Sequence, residues 1–148
     1  MVLAVVSIFS TTGCVSSKEI ASEKELYNQN VPPGQCRILA QVLKIDSILP
    51  TNNGNDPCSK APCTALVKIK NLIENRAGSV LNNGDTLKTK FAFTLNPTNK
   101  ETFPTLNESL PGLTEGSTFE ADIQLLPTNP SSTTKEKVYL IYGYKKIN

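Results

Sequence analysis

Histidine and tryptophan are absent from this chain of 148 residues. Without histidine, the chain lacks the side chain that most often acts as a general acid or base near neutral pH and that most often binds zinc or copper. The sequence also has no Gly-x-Ser-x-Gly elbow, no glycine-rich phosphate loop and no paired-carboxylate motif. These absences predict a protein that is not an enzyme and that uses no metal or cofactor.

Neither sign of charge is in large excess, because 15 Lys and Arg residues face 13 Asp and Glu residues, for a net charge of +2. So small a net charge creates no global field that would attract nucleic acid, and we expect no nucleic-acid partner. The apolar segment at the start, from Val2 to Phe9, is also short. A helix needs about 20 apolar residues to cross a bilayer, so this segment is typical of a signal peptide.

Small residues follow that segment and lead to a cysteine. The stretch Thr11-Thr12-Gly13-Cys14 resembles the lipobox of bacterial lipoproteins, in which diacylglycerol is joined to the cysteine thiol and the chain is cut before it. The resemblance implies a signal peptide over residues 1–13, lipid attachment at Cys14 and a polar, lipidated tether over residues 14–33. Val15 follows the cysteine, and the sorting rule of Gram-negative lipoproteins then implies the outer membrane. An ordinary secreted protein is the alternative.

Five segments after the tether have the composition and the turn-bounded length of β-strands. They span residues 36–48, 63–73, 86–95, 118–126 and 137–147. Apolar and polar residues alternate along the middle three, as in strands that turn one face to a core and the other to water. A Leu-x-x-Gly-x-Thr-apolar sequence, starting at Leu81 and at Leu113, leads into two of them. Its glycine supplies the positive φ that a tight turn needs.

The number and spacing of these strands resemble the OB-fold, a small five-stranded antiparallel Greek-key barrel. The resemblance covers residues 34–148 and implies an all-β barrel domain. A β-sandwich is the alternative, although the immunoglobulin type normally has about seven strands or more. Tyr139, Tyr142 and Tyr144 crowd the last strand, and we expect them to complete the core.

Three of the four cysteines stay available once Cys14 is lipidated. If the first two strands form a hairpin, Cys36 and Cys63 lie at its opposite ends, roughly 30 Å apart at about 3.3 Å per residue. A disulfide needs Cα atoms within about 7 Å. The sequence therefore predicts a disulfide between Cys58 and Cys63 and leaves Cys36 as a buried, unpaired residue. A redox pair is the alternative, but four residues separate these cysteines and not the two of a thioredoxin-like motif.

Lysines fall on the polar phase of two strands. Lys68 and Lys70 lie in the second strand, and Lys88 and Lys90 lie in the third. If these strands are neighbours, we expect the four ammonium groups to form one compact outward patch. This part of an OB-fold often binds oligosaccharides or oligonucleotides, so the patch is a candidate site for an anionic glycan. A solvated face whose lysines discourage edge-to-edge pairing is the alternative.

These features together predict a cell-envelope lipoprotein whose barrel is a non-catalytic binding or assembly module. Its expected partners are the membrane, through the lipid on Cys14, and an anionic glycan or an envelope protein. A purely structural envelope lipoprotein is the alternative. A groove beside the lysines would favour ligand binding over the structural role.

Overall fold

A computed structural model describes residues 30–47, 56–101, 103–104, 109–127 and 136–147. The chain divides into two units, Met1–Asn30 and Val31–Asn148, and the strands belong to the second. The strands are β1 (Cys36–Ile45), β2 (Thr64–Asn75), β3 (Thr86–Phe91), β4 (Thr118–Leu125), β5 (Val138–Ile141) and β6 (Lys145–Ile147). All five predicted strands form, and the last is interrupted at residues 142–144, which separates β5 from β6.

The strands close into a barrel. They are hydrogen-bonded in the order β1-β2-β3-β5-β4, and β4 pairs in turn with β1. The short strand β6 pairs with the first residues of β4. The predicted all-β, five-stranded, OB-fold-like barrel is therefore confirmed.

One strand pair departs from the purely antiparallel arrangement that the sequence predicted. Strands β3 and β5 run parallel, while the other four pairs that close the ring are antiparallel. The reason is parity, because strands in a closed ring of five cannot alternate in direction all the way around. At least one neighbouring pair must be parallel, and here it joins the third strand to the fifth.

The barrel interior is packed with the apolar residues of the alternating strands. At its centre lie the rings of Phe91, Phe93, Phe119 and Tyr144, whose neighbouring centroids are 5.8 to 6.4 Å apart. Such tilted and edge-to-face pairs contribute about 0.5 to 1.5 kcal/mol each beyond the area that they bury. Strand β3 ends at Phe91, earlier than predicted, so Phe93 reaches this cluster from an irregular segment.

Three bulges bend the hairpin of β1 and β2. The pairing shifts by one residue at Leu43 on β1 and at Lys70 and Ile73 on β2. A bulged residue has no partner across the ladder and turns the strand more sharply. The bulges therefore help the long hairpin to curve around the core, and they explain why Leu43 and Ile73 are 41% and 46% exposed.

The glycine turn predicted twice occurs three times, before β1, β3 and β4. Its glycines are Gly34, Gly84 and Gly116, with φ of 83°, 92° and 86°. In each copy, the N–H of the residue after the glycine donates to the carbonyl of the residue two positions before the glycine. The N–H of Gly84 donates to β2 and that of Gly116 to β1, whereas the N–H of Gly34 donates to Arg76, one residue past the end of β2. A buried residue precedes each glycine by three positions; these are Val31, Leu81 and Leu113. The first copy escaped prediction because it carries Val31, Cys36 and Arg37 where the predicted pattern has leucine, threonine and an apolar residue.

A second kind of glycine contact closes one part of the barrel. The backbone N–H of Gly112 donates to the phenolic oxygen of Tyr144 at 2.8 Å. Gly112 has a φ of +81°, and a Cβ placed on it would lie 2.7 Å from the backbone nitrogen of Pro97. No side chain fits at this position without displacing the backbone of the segment that leads from β3.

Candidate functional site

The candidate site is the outer face of β2 and β3, which we call the lysine face. It is defined by the outward residues of these two adjacent strands. The register pairs Thr64 with Lys90, Leu66 with Lys88 and Lys68 with Thr86. Lys68, Lys70 and Lys90 are exposed, and Lys88 is half-buried. The structure therefore places all four predicted lysines on one side of the barrel.

The four lysines form a row and not the compact patch that we expected. Each register level of the lysine face holds one lysine, because Lys88 and Lys90 sit opposite Leu66 and Thr64. Lys68 occupies the next level on β2, and Lys70 follows it in the bulge. Since residues two apart on a strand are separated by about 7 Å, the row extends over about 20 Å.

One of the four lysines is held in an ion pair. The ammonium group of Lys88 donates a hydrogen bond to Glu136 at 2.9 Å. This hydrogen bond raises the pKa of Lys88, and the negative charges of Glu136 and Asp46 raise it further. Among the described residues, Lys68, Lys70 and Lys90 have no ion-pair partner. The cationic charge of the face is therefore most available at the two ends of the row.

Aliphatic side chains flank the lysines. Leu66 lies directly opposite Lys88 and is 36% exposed. On the other side of β3, Val138 and Leu140 of β5 pair with Lys88 and Lys90, and both are half-buried. Lysine stems lie readily along apolar neighbours while the charged ends stay in water. The face thus combines ammonium groups with C–H surface.

A disulfide-closed loop borders the Lys90 end of the face. Cys58 and Cys63 are bonded, with Cα atoms 5.4 Å apart, as predicted, and Asp56 caps the short 3-10 helix Pro57–Ser59 through the N–H of Cys58. The carbonyl of Cys63 accepts a hydrogen bond from the N–H of Phe91 at 2.8 Å. The disulfide closes the loop, and this backbone hydrogen bond holds it to β3, one residue from Lys90.

The other predicted residues lie away from this face. Cys36 is buried and unpaired, as predicted, and its thiol donates to the side-chain oxygen of Asn75 at 3.1 Å. Tyr139 and Tyr144 are buried. The expectation for Tyr142 is wrong, because it is 60% exposed at the break between β5 and β6, where the strand alternation is interrupted.

Leu66 and Glu136 are among the residues of the site that escaped prediction. Leu66 is an apolar residue at a position of β2 where the alternation predicts an outward side chain. Such a residue indicates apolar surface on the outside of the barrel. Glu136 gave no such signal, because it is 48 residues from Lys88 in the sequence. It reaches β3 from the segment before β5.

The predicted signal peptide at residues 1–13, the lipid attachment at Cys14 and the tether up to residue 29 lie outside the described residues. Among the residues that the structure does describe, no helix is long and apolar enough to cross a membrane. The same residues contain no group of three or more His, Cys, Asp or Glu side chains placed to hold a metal ion.

No family model, curated protein or solved structure matches this chain. The support for a functional proposal therefore comes from the residues of the chain and from the geometry of the barrel.

Proposed function

We propose that this chain is a lipid-anchored protein of the cell envelope, in the outer membrane of a Gram-negative bacterium, and that its barrel binds an anionic glycan on the lysine face. The observation that carries the binding role is the row of four lysines on adjacent strands, flanked by aliphatic side chains. The stretch that resembles a lipobox, ending at Cys14, supports the anchor.

The interior of the barrel is packed, so its outer surface is where a ligand would bind. Buried apolar and aromatic side chains fill the space between the strands, so a ligand has to be bound on the surface. The lysine face lies on the second and third strands, which is where OB-folds often bind oligosaccharides. The disulfide loop at one end of the face is held in place by its bond to β3. This placement supports a preformed binding surface.

The chemistry of the face supports an acidic ligand and a non-catalytic role. Ammonium groups donate hydrogen bonds to carboxylates, sulfates and phosphates, and the nearby Leu66 and Leu140 offer C–H surface to a sugar ring. Glu136 is the carboxylate placed in direct contact with a lysine of this face, and it is engaged by Lys88. These groups suit binding and orientation of a ligand.

A structural role is the second candidate, and the same side chains provide its argument. Outward lysines on neighbouring strands keep this part of the barrel surface in contact with water. Leu66 and Leu140 could equally contact an envelope protein. Binding measurements separate these roles from glycan recognition.

The test uses the purified protein with its disulfide intact. Polygalacturonate is titrated against the wild type and against a variant with Lys68, Lys70, Lys88 and Lys90 replaced by Glu, and methyl-esterified polygalacturonate serves as the neutral ligand. We expect the wild type to bind the acidic polymer and not the esterified one, and we expect the variant to bind neither. Binding should weaken as salt is added, because exposed charges are screened beyond about 10 Å at 0.1 M ionic strength. Equal binding by both proteins, or binding by neither, would favour the structural role.

A further inference from the structure

Resting on the proposed function, we infer that the lysine face selects a linear polyanionic glycan that runs from Lys90 to Lys70, and that Glu136 competes with this ligand for Lys88. The inference comes from the strand register, which sets the spacing of the ammonium groups, and from the one ion pair within the row.

The register fixes the path of the ligand. Lys90 and Lys88 occupy two successive levels on β3, and Lys68 and Lys70 occupy the next two on β2. The row therefore moves from one strand to the next at its midpoint, a lateral step of about 5 Å. Successive lysine Cα atoms are separated by about 7 to 9 Å along this path. The four lysines therefore follow a diagonal line across the two strands.

This spacing excludes a single small anion as the preferred ligand. One phosphate or carboxylate can contact one ammonium group or two neighbouring ones, because the ends of the row are about 20 Å apart. Charges exposed to solvent at that distance are screened, since the Debye length is about 10 Å at 0.1 M ionic strength. Only a ligand with several anionic groups along its length can use Lys90 and Lys70 together. A polysaccharide of acidic sugars has that form.

Aliphatic residues border the diagonal on both sides. Leu66 on β2 flanks Lys88 from one side, and Leu140 on β5 flanks Lys90 from the other. Sugar rings present C–H groups between their polar substituents, and these can cover the aliphatic surface. Nucleic acid would instead call for aromatic side chains that stack on bases. The rings of Phe91 and Phe93 are fully buried in the core, so they cannot serve that purpose.

Glu136 acts against ligand binding at the middle of the row. Its carboxylate occupies the position next to the Lys88 ammonium, 2.9 Å away, that a ligand carboxylate would take. Both side chains are partly exposed, at 38% for Lys88 and 56% for Glu136, so the pair can open to solvent. Asp46 also contributes negative charge near Lys88. Removal of Glu136 should therefore strengthen binding, whereas removal of any lysine should weaken it.

The experiment measures affinity by isothermal titration calorimetry for oligogalacturonates from the monomer to the octamer, at several salt concentrations. We expect no measurable binding of the monomer and an affinity that rises with length until the ligand spans the row. Lys70→Gln and Lys90→Gln, at the two ends, should each flatten the salt dependence and reduce the gain from the longer oligomers. The control variant Lys100→Gln, which removes one charge at an exposed position outside β2 and β3, should bind like the wild type.

Glu136→Gln provides the sharper arm. It should raise the affinity for the octamer by about threefold, as expected when an exposed ion pair no longer competes, and the gain should vanish when Lys88→Gln is added. An unchanged affinity would overturn the role of Glu136. If the octamer binds no tighter than the dimer, and the variant with all four lysines replaced still binds neither, the linear path is overturned. The proposed function then stands. Binding of oligothymidylate as tight as that of the octamer would overturn the selection of a glycan. If no oligomer binds, both this inference and the proposed function are overturned.

Discussion

Arg37 on β1 and Asp122 on β4 form a two-pronged ion pair across the seam that closes the barrel. The Nε of Arg37 donates to Oδ1 of Asp122 at 2.7 Å, and its Nη2 donates to Oδ2 at 2.8 Å. The two residues are direct partners in the strand register. This hydrogen bonding raises the pKa of Arg37, and the side chain is only 10% exposed. The pair therefore joins the first strand to the fourth by side chains as well as by backbone.

We expect Asp122→Asn to lower the free energy of unfolding by about 1 to 3 kcal/mol, because a nearly buried guanidinium loses its charged acceptor. The matched control is Glu120→Gln. Glu120 lies 4.0 Å from Arg37, and loss of so distant and partly exposed an ion pair costs less than about 1 kcal/mol. Urea unfolding at neutral pH measures both. Equal losses in the two variants would show that the bidentate pair has no special role at the seam.

Tyr144 gives the barrel a pH-dependent stability. Burial raises the pKa of Tyr144 from 10.0 to about 12. In the unfolded chain the phenol therefore ionises at a lower pH than in the folded protein, so stability is retained below pH 10 and falls as the pH rises toward 12. Tyr144→Phe removes this loss. At neutral pH, however, the variant should be less stable by about 1 to 2 kcal/mol, because the buried N–H of Gly112 loses its acceptor.

The difference between wild type and Tyr144→Phe should accordingly shrink between pH 10 and 12. Thermal unfolding followed by circular dichroism at a series of pH values measures it. Burial raises the pKa of Tyr139 as well, but Tyr139 is present in both proteins and cancels in the comparison. A constant difference across this range would contradict the assignment to Tyr144.

Gly112 and Gly116 offer a matched pair for separating steric from conformational effects. Both have a positive φ, +81° and +86°, but an added Cβ meets the backbone of Pro97 at Gly112 and open space at Gly116. We expect Gly116→Ala to cost about 1 kcal/mol, for strain alone. Gly112→Ala should cost clearly more, because the segment that holds Pro97 has to move. Chemical denaturation of the two variants provides the measurement, and equal costs would mean that the contact with Pro97 is easily relieved.

The anchor can be tested independently of the barrel. If Cys14 carries the lipid, Cys14→Ser should leave a folded barrel that appears in the soluble fraction and not in the membrane pellet. Mass spectrometry of the wild-type amino terminus should show an acylated Cys14. A variant that still sediments with membranes, or a mature chain that starts at another residue, would contradict the lipoprotein assignment. Circular dichroism of the released variant checks that its barrel is folded.

Local sequence patterns were sufficient to predict much of the fold. Alternation located the strands, and the distance between hairpin ends correctly paired Cys58 with Cys63 and left Cys36 buried. Parity also requires a parallel pair somewhere in a closed ring of five strands, although it does not say that this pair joins β3 to β5. These features depend on short stretches of chain or on counting, and both are available from sequence.

The arrangement of the candidate site was not available in the same way. Alternation correctly placed Lys68 and Lys88 outward, but it does not say which residues of two strands stand opposite each other. That register depends on the turn at Gly84, where the N–H of Gly84 bonds to the carbonyl of Ile69. A change of one level there would move the lysines together or apart. The row, and the contact of Lys88 with Glu136, therefore had to come from the structure.

The glycine turns and the bulges prove to be linked. In the turn at Gly84, the side chain of Asn83 accepts a hydrogen bond from the backbone N–H of Leu72. In the turn at Gly116, the side chain of Glu115 accepts one from the backbone N–H of Ile45. Each acceptor precedes its glycine.

Each donor lies three residues beyond the strand residue that binds the turn, which is Ile69 in one case and Val42 in the other. Two residues would be the normal spacing in a strand, and the intervening bulge adds the third. Each turn and the bulge beside it thus depend on each other. In diverging relatives, we expect loss of the oxygen-bearing residue before the glycine to accompany loss of the bulge on the neighbouring strand, so that the two positions covary although they lie on different strands.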